Sequence, residues 1–168
     1  MSEEFLRRFQ EVKHFIFDVD GVFTNSQVLL TEDGNLLRSM TTRDGYAVKV
    51  ALRQGYGISV ITGGSSNGVR KRLSSLGVSS IYTGIDDKLS VFNQLVESDG
   101  LDPKDLLYMG DDLPDIHAMK AVGLACCPSD AVPEIKTCAH YIASTKGGEG
   151  CVREIIEKVL KIQSNWKY

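Results

Sequence analysis

The chain has 168 residues, of which 42% are hydrophobic and 24% are charged, as is usual for a globular protein with a substantial core. We therefore predict a single domain spanning residues 1–168. The net charge of −3 offers no basic surface for nucleic acid or an anionic membrane. No apolar run approaches the roughly 20 residues of a membrane span, and the charged segment 1–11 lacks an apolar signal core. We expect a cytoplasmic protein without nucleic-acid or membrane partners.

The cysteines and histidines indicate neither a metal site nor a disulfide framework. Cys126 and Cys127 lie in an apolar run and are typical of small core residues. Cys138 and Cys151 add no metal-ligand spacing, and the three histidines are scattered.

The first predicted strand, over 15–17, ends at two acidic residues and a glycine, Asp18, Asp20 and Gly21. Burying an unpaired carboxylate is costly, so both side chains should lie in a crevice or on a cation. Alternation along an extended chain points them to the same side. One carboxylate can then attack a substrate while the other moves a proton.

Two other interpretations of this Asp-x-Asp-Gly motif exist. An acidic turn after a strand has the same residues. A calcium loop is excluded, because the fifth, sixth and twelfth positions counted from Asp18 are Val22, Phe23 and Leu29, whereas such a loop has an oxygen ligand, glycine and glutamate there.

The following segments predict alternating strands and helices. Asp33-Gly34 between two apolar runs indicates a β-hairpin over 27–40. Residues 41–45 are turn-like, and 146–150 form a glycine-rich hinge. Further strands are predicted at 57–61, 80–83, 106–109, 124–127 and 140–143, and helices at 46–54, 69–76, 89–98, 131–136 and 149–162.

This alternation predicts an α/β fold, a doubly wound parallel sheet with helices on both faces and a projecting hairpin. Such sheets bind ligands at the carboxyl ends of their strands, where Asp18, Thr62 and Asp111 fall. Thr62 and the following glycines open onto a helix start, which favours phosphate. The spacings of dinucleotide-binding and nucleoside-triphosphatase loops are absent. Lys88, taken alone, has the pattern of a surface residue. Asp111 and Asp115 share a helical face if the next helix starts near Asp112.

Taken together, these motifs resemble the signature of the haloacid dehalogenase superfamily, in its order along the chain. The motifs are Asp18-x-Asp20-Gly21, Thr62-Gly63, Lys88 and Gly110-Asp111-Asp112-x-x-Asp115. Additional segments resemble the sugar-acid phosphatases of that superfamily, namely Arg43-Asp44-Gly45-Tyr46, Tyr82-x-Gly84 and Gly147-Gly148-x-Gly150-x-Val152-Arg153-Glu154.

The resemblance implies a mechanism through an aspartyl-phosphate. Asp18 is expected to attack phosphorus, and Asp20 to protonate the leaving sugar oxygen and then activate water. Thr62 and Lys88 are expected to hold phosphoryl oxygens, which carry spread negative charge during transfer. The implied ligands of a Mg2+ cofactor are Asp18, the main-chain carbonyl of Asp20, Asp111 and, in support, Asp115.

The resemblance also implies a phosphorylated eight-carbon 2-keto-3-deoxy sugar acid as substrate, within lipopolysaccharide precursor synthesis. The implied contacts are Asp20, Thr41, Thr42, Arg43, Asp44, Gly45, Lys49, Gly64, Arg72 and Lys88. The family often has arginine where this chain has Lys49, Gly64 and Glu149, so bidentate carboxylate recognition is lost there. A nine-carbon sialic-type acid 9-phosphate therefore stays open as the alternative substrate.

Two other classes of function are open to this fold. A phospho-accepting receiver domain also uses acids, Thr, Lys and magnesium, but the Asp-x-Asp spacing adds a proton shuttle that promotes turnover. A non-catalytic oligomerisation module also resembles this fold, but intact Asp18, Asp20, Lys88 and Asp111 favour an enzyme.

A homotetramer is expected because the chain has no room for a cap domain. The predicted elements fill the sequence between Asp18 and Thr62 and between Thr62 and Lys88. Phosphoryl transfer nevertheless benefits from a site closed to water. A lone hairpin is only marginally stable, so hairpins from several subunits are expected to pack together. The hinge at 146–150 could then bring Lys146 to the substrate carboxylate in a neighbour's site.

Overall fold

The structure is a computed structural model and describes residues 3–167. Its elements in chain order are α1 (Glu3–Glu11), β1 (His14–Phe17), β2 (Leu29–Leu30), β3 (Leu36–Leu37), α2 (Thr42–Arg53), β4 (Gly57–Thr62), α3 (Asn67–Ser75), β5 (Ser80–Thr83), α4 (Lys88–Asp99), β6 (Leu106–Met109), α5 (Ile116–Met119), β7 (Leu124–Cys127), α6 (Pro133–Cys138), β8 (Tyr141–Ile142) and α7 (Cys151–Ile162), with 3-10 helices at Pro103–Asp105 and Leu113–Asp115.

Six parallel strands form one sheet in the order β5-β4-β1-β6-β7-β8, which confirms the predicted doubly wound fold. The side chains of β1 alternate between two cores. Phe15 and Phe17 pack with α1, α2, α3 and α7 on one face, and Ile16 packs with α4, α5 and α6 on the other. The apolar run of β1 is therefore covered on both faces, as parallel strands require.

Several element boundaries differ from the predicted ones. Helix α2 begins at Thr42 instead of 46, because Thr41 caps it by accepting a hydrogen bond from the Arg43 N–H at 3.3 Å. Helix α7 begins only at Cys151, because Gly150 before it has a φ of +115°. Helix α1 was not predicted. Its mostly polar sequence buries one residue, Phe9, in the core.

Asp111 and Asp115 were expected to share a helical face if the next helix started near Asp112. A 3-10 helix does start there, at Leu113, and α5 follows from Ile116, but Asp111 lies before both. Asp112 is extended and caps the 3-10 helix Leu113–Asp115, which has Pro114 in its first turn. The Asp115 carboxylate accepts a hydrogen bond from the Asp111 N–H at 3.2 Å. The two acids are thus brought together by a capped turn.

The predicted hairpin is present as β2 and β3, which pair Leu29 with Leu37 and Leu30 with Leu36. All four leucines are exposed, Leu30 to 70%. Within residues 3–167 no cap domain interrupts the sheet fold, and no helix there is both long and apolar enough to cross a membrane.

The segment 146–150, predicted as a hinge, is anchored to the rest of the chain. The Gly147 N–H donates to the Asp130 carboxylate and the Gly148 N–H to the Val22 carbonyl, both at 2.9 Å. A Cβ on Gly147 would lie 1.9 Å from the Gly21 carbonyl oxygen. The glycines therefore allow close packing against the loop after β1, and Lys146 is left exposed.

Candidate active site

Three neighbouring strands, β4, β1 and β6, end at the same edge of the sheet. The polar residues there are Thr62 at the end of β4, Asp18 after β1 and Asp111 after β6. Asp18 is 6% exposed and its N–H extends the sheet by donating to the Met109 carbonyl at 3.0 Å. These residues line a cavity of about 430 Å³ together with Asp20 and Lys88.

Lys88 is the buried cation of this cavity, with only 4% of its surface exposed. Its Nζ lies 2.9 Å from Asp18 Oδ2 and 2.7 Å from Asp115 Oδ1. Burial lowers the pKa of Lys88, but Asp18 and Asp115 together reverse this effect, so the net shift is upward. Asp115 also accepts a hydrogen bond from the Tyr108 hydroxyl at 2.8 Å. Lys88 is therefore a fixed charge that orients Asp18, and it is not a surface residue.

Three carboxylates, from Asp18, Asp111 and Asp115, offer oxygens that lie within 4.8 Å of one another. Oδ1 of Asp18 and Oδ1 of Asp111 are buried without a hydrogen-bond partner. Burial and then the charge of Asp115 raise the pKa of Asp18 to about 7, against the opposing effect of Lys88. Burial, Asp18 and Asp115 likewise raise the pKa of Asp111 to about 7. Unpartnered oxygens of like charge fit a hard divalent cation such as Mg2+.

Two glycines allow the acids to approach. Gly21 has a φ of +90°, and a Cβ there would lie 1.9 Å from Asp111 Oδ2. A Cβ on Gly110 would lie 2.4 Å from Asp115 Cγ. A glycine is therefore required at both positions, because a carboxylate of Asp111 or Asp115 occupies the space that a side chain would take.

Asp20 lines the same cavity, but its carboxylate is not part of the three-acid cluster. It is paired with Arg38, whose Nε and Nη2 donate to Oδ1 at 2.6 Å and to Oδ2 at 2.9 Å. The hydrogen bonds to Asp20 raise the pKa of Arg38. Sequence reasoning missed Arg38, since it belongs to none of the motifs. Its position near the end of the predicted hairpin, which follows the acid pair, was the one available signal.

A second cavity of about 870 Å³ adjoins the first and shares Gly63 and Gly64 with it. Arg38 and Arg72 both line it. Arg72 packs against Gly45, where a Cβ would lie 2.7 Å from Nη2. This larger cavity offers two guanidinium groups next to the acids, which suits an anionic substrate.

The other predicted substrate contacts do not meet at these cavities within one chain. Asp44 is 1% exposed and accepts a hydrogen bond from the Arg153 N–H at 2.7 Å, so it ties α2 to α7. Lys49 lines a separate cavity beside Arg53, and Arg43 lines another beside Arg153. Thr41 and Thr42 stand at the start of α2. Helix α2 distributes these residues over its faces, so their role as substrate contacts stays a prediction.

The fold and the acid-rich site define a haloacid dehalogenase-type hydrolase, and comparison with known proteins agrees. The profile of the haloacid dehalogenase-like hydrolases matches residues 72–155, which include Lys88, Asp111 and Asp115. The chain belongs to this family. It is 31% identical to the 3-deoxy-D-manno-octulosonate 8-phosphate phosphatase of Yersinia pestis over 163 residues, which are 97% of this chain and 87% of that one. Identity to the phosphatase of the same name from Escherichia coli K12 is 32% over the same shares.

Solved structures of phosphatases with this name share the fold. The enzyme from Yersinia pestis superposes with a TM-score of 0.95 at 31% identity, covering 98% of this chain and 89% of that one. The enzyme from Moraxella catarrhalis has the same TM-score and identity, covering 99% and 95%, and was crystallised with a magnesium ion, a phosphate ion and a KDO molecule. The cobalt-bound enzyme from Haemophilus influenzae has a TM-score of 0.90 at 29% identity, covering 94% and 92%.

Proposed function

We propose that this chain is a magnesium-dependent phosphatase that hydrolyses 3-deoxy-D-manno-octulosonate 8-phosphate to the sugar acid and phosphate, a step of lipopolysaccharide precursor synthesis. The similarity to phosphatases of that substrate extends over 97% of the chain. The proposal rests mainly on the position of Asp18. Its buried carboxylate forms an ion pair with Lys88, and it lines the same cavity as Asp20. A nucleophile and a proton-transfer group at one site are what a two-step phosphoryl transfer requires.

The first half of the reaction forms the bond between a carboxylate oxygen of Asp18 and phosphorus, while the bond from phosphorus to the sugar oxygen breaks. Asp20 gives its proton to that leaving oxygen. Lys88, held 2.9 Å from Asp18, orients the carboxylate and neutralises phosphoryl charge. Thr62, whose hydroxyl accepts a hydrogen bond from the Gly64 N–H at 3.3 Å, donates a hydrogen bond to a phosphoryl oxygen.

In the second half, Asp20 takes a proton from a water molecule whose oxygen attacks phosphorus. The bond to Asp18 breaks, phosphate leaves and the carboxylate is restored. The residues that would hold Mg2+ are Asp18, Asp111, the main-chain carbonyl of Asp20 and, in support, Asp115. Bound there, the ion supplies positive charge for the phosphoryl oxygens. The same Asp20 acts as acid and then as base, which favours turnover over the stable phospho-form of a receiver domain.

A phosphate-release assay tests this proposal directly. Wild-type protein with Mg2+ is given phosphates of eight-carbon and of nine-carbon 2-keto-3-deoxy sugar acids, and Asp18→Asn serves as the matched control. We expect the higher kcat/KM with the eight-carbon substrate and no release by the control. A preference for the nine-carbon acid would reassign the substrate, and no release from either would refute the sugar-acid phosphatase.

We further propose a cytoplasmic homotetramer. The four leucines of the hairpin are 49–70% exposed in the single chain, and packing hairpins of several subunits would bury them. In such an assembly the exposed Lys146 could reach a neighbour's substrate. All four cysteines are free, which suits a reducing compartment.

A further inference from the structure

Arg38 connects the exposed hairpin to the carboxylate of Asp20 in the active-site cleft. It follows β3 directly, yet its side chain is only 9% exposed, because it turns inward to the cleft. Its two donors bind the two oxygens of Asp20 at 2.6 and 2.9 Å. A third donor, Nη1, binds the Leu36 carbonyl at 3.3 Å and so fixes the guanidinium to its own strand. A bidentate fork of this kind determines both the position and the plane of a carboxylate.

The remaining contact of Asp20 is weak by comparison. The Thr24 hydroxyl lies 3.3 Å from Asp20 Oδ1. The same hydroxyl lies 3.4 Å from the Val19 carbonyl, and its one proton cannot serve both acceptors at once. Within residues 3–167, Arg38 and Thr24 are the side chains seen to bond the Asp20 carboxylate. The two short bonds come from Arg38, which therefore sets the orientation of Asp20.

Gly64 leaves the space in which this pair sits. A Cβ there would lie 3.1 Å from Asp20 Oδ2 and 3.3 Å from Arg38 Nη2. These distances are shorter than ordinary van der Waals contact, so a side chain at 64 would press on both members of the pair. The glycine and the arginine thus form one local arrangement around the carboxylate.

We infer that Arg38 is a positioning residue for the proposed phosphatase reaction, which holds Asp20 in line with the leaving oxygen and so makes proton transfer depend on the hairpin. The inference rests on the proposed function, in which Asp20 is the acid and base. Displacing a reacting group by about 1 Å can cost about 100-fold in rate. Arg38 acts through Asp20 and does not itself need to touch phosphorus.

The test compares kcat and KM of wild type, Arg38→Ala, Arg38→Lys, Asp20→Asn and the double variant on 3-deoxy-D-manno-octulosonate 8-phosphate. Arg38→Ala should lower kcat about 10- to 100-fold with little change in KM. Arg38→Lys should recover part of the loss, since it keeps the charge but lacks the fork. In the Asp20→Asn background, Arg38→Ala should cause no further loss, because residues that act as a unit are not additive. Arg53→Ala, at the far end of α2, is the control for removing an arginine and should leave both constants unchanged.

A second substrate separates positioning of the acid from other roles. The leaving group of p-nitrophenyl phosphate departs without protonation, so its first-turnover burst should lose less in Arg38→Ala than the sugar substrate does. Light scattering checks assembly, and Arg38→Met, which keeps the aliphatic stem, replaces Arg38→Ala if the scattering mass changes.

Several outcomes would overturn the inference. A raised KM with unchanged kcat would make Arg38 a substrate-binding residue only. An equal further loss in the Asp20→Asn background would show that it does not act through Asp20. The proposed function fails separately, if the wild type releases phosphate from p-nitrophenyl phosphate but from no sugar acid.

Discussion

Replacing Lys88 by methionine should destabilise the chain strongly, because it removes the buried cation and keeps its volume. Lys88 is 4% exposed and lies within 2.9 Å of Asp18 and 2.7 Å of Asp115. Breaking a buried ion pair at one partner typically costs about 3–5 kcal/mol. At about 2–4 °C per kcal/mol for a chain of this size, Tm should fall by roughly 6–20 °C in metal-free buffer at pH 8.

The loss of stability in Lys88→Met should increase with pH. The folded pKa of Asp18 and of Asp111 is already raised to about 7, above the ordinary value of 3.8. An acid with a raised folded pKa destabilises the fold above that pKa and is relieved as the pH falls through it. Lys88 opposes the upward pKa shift of Asp18, so removing Lys88 raises that pKa further. The loss of Tm in Lys88→Met should therefore be larger at pH 8 than at pH 5.5.

Thermal unfolding followed by circular dichroism measures both effects. Lys71→Met is the matched control, an exposed lysine on α3 whose loss should change stability by less than about 0.5 kcal/mol. A Tm of Lys88→Met within 2 °C of wild type at pH 8, or a deficit that grows toward acid pH, would refute the account of Lys88 as the charge that compensates the acids.

Three more predictions concern the metal and the assembly. Gly21→Ala should weaken Mg2+ binding and lower activity, since its φ is +90° and its Cβ would lie 1.9 Å from Asp111 Oδ2; unchanged affinity by calorimetry would contradict this. Mg2+ affinity of the wild type should fall between pH 8 and pH 6 by about tenfold for each carboxyl of Asp18 and Asp111 that must lose a proton; a pH-independent affinity would contradict the raised pKa values. Charged residues in place of Leu29 and Leu36 should dissociate the proposed tetramer and lower activity in light-scattering and kinetic assays, whereas a wild type that is fully active as a monomer would end that proposal.

The sheet and the acid motifs could be predicted from the sequence because their signals are local. The apolar run before Asp18 specifies a buried strand, and parallel strands bring Thr62 and Asp111 to the same edge as Asp18. The hairpin was predictable for the same reason, because Asp33-Gly34 between two apolar runs is a local turn signal.

What the sequence did not reveal depends on contacts between distant segments. Arg38 reaches Asp20 only because the hairpin folds back over the cleft, and no periodicity encodes that contact. Asp44 follows an arginine in a polar stretch, yet helix α2 turns it into the protein, where it meets the Arg153 N–H. Lys88 was placed in the site by the resemblance alone, because its local pattern is that of a surface lysine and its contacts with Asp18 and Asp115 come from distant segments.

Trapping the phosphorylated enzyme tests the central claim most directly. Asp20→Asn, which lacks the base that activates water, is mixed with Mg2+ and p-nitrophenyl phosphate carrying labelled phosphorus, quenched in acid and digested for mass spectrometry. The leaving group of this substrate departs without protonation, so the variant slows breakdown of the intermediate more than its formation. The proposed mechanism predicts label on Asp18, and none when Asp18→Asn is added to the same background. Label on another residue, or an Asp18→Asn single variant that releases phosphate at the wild-type rate, would contradict it.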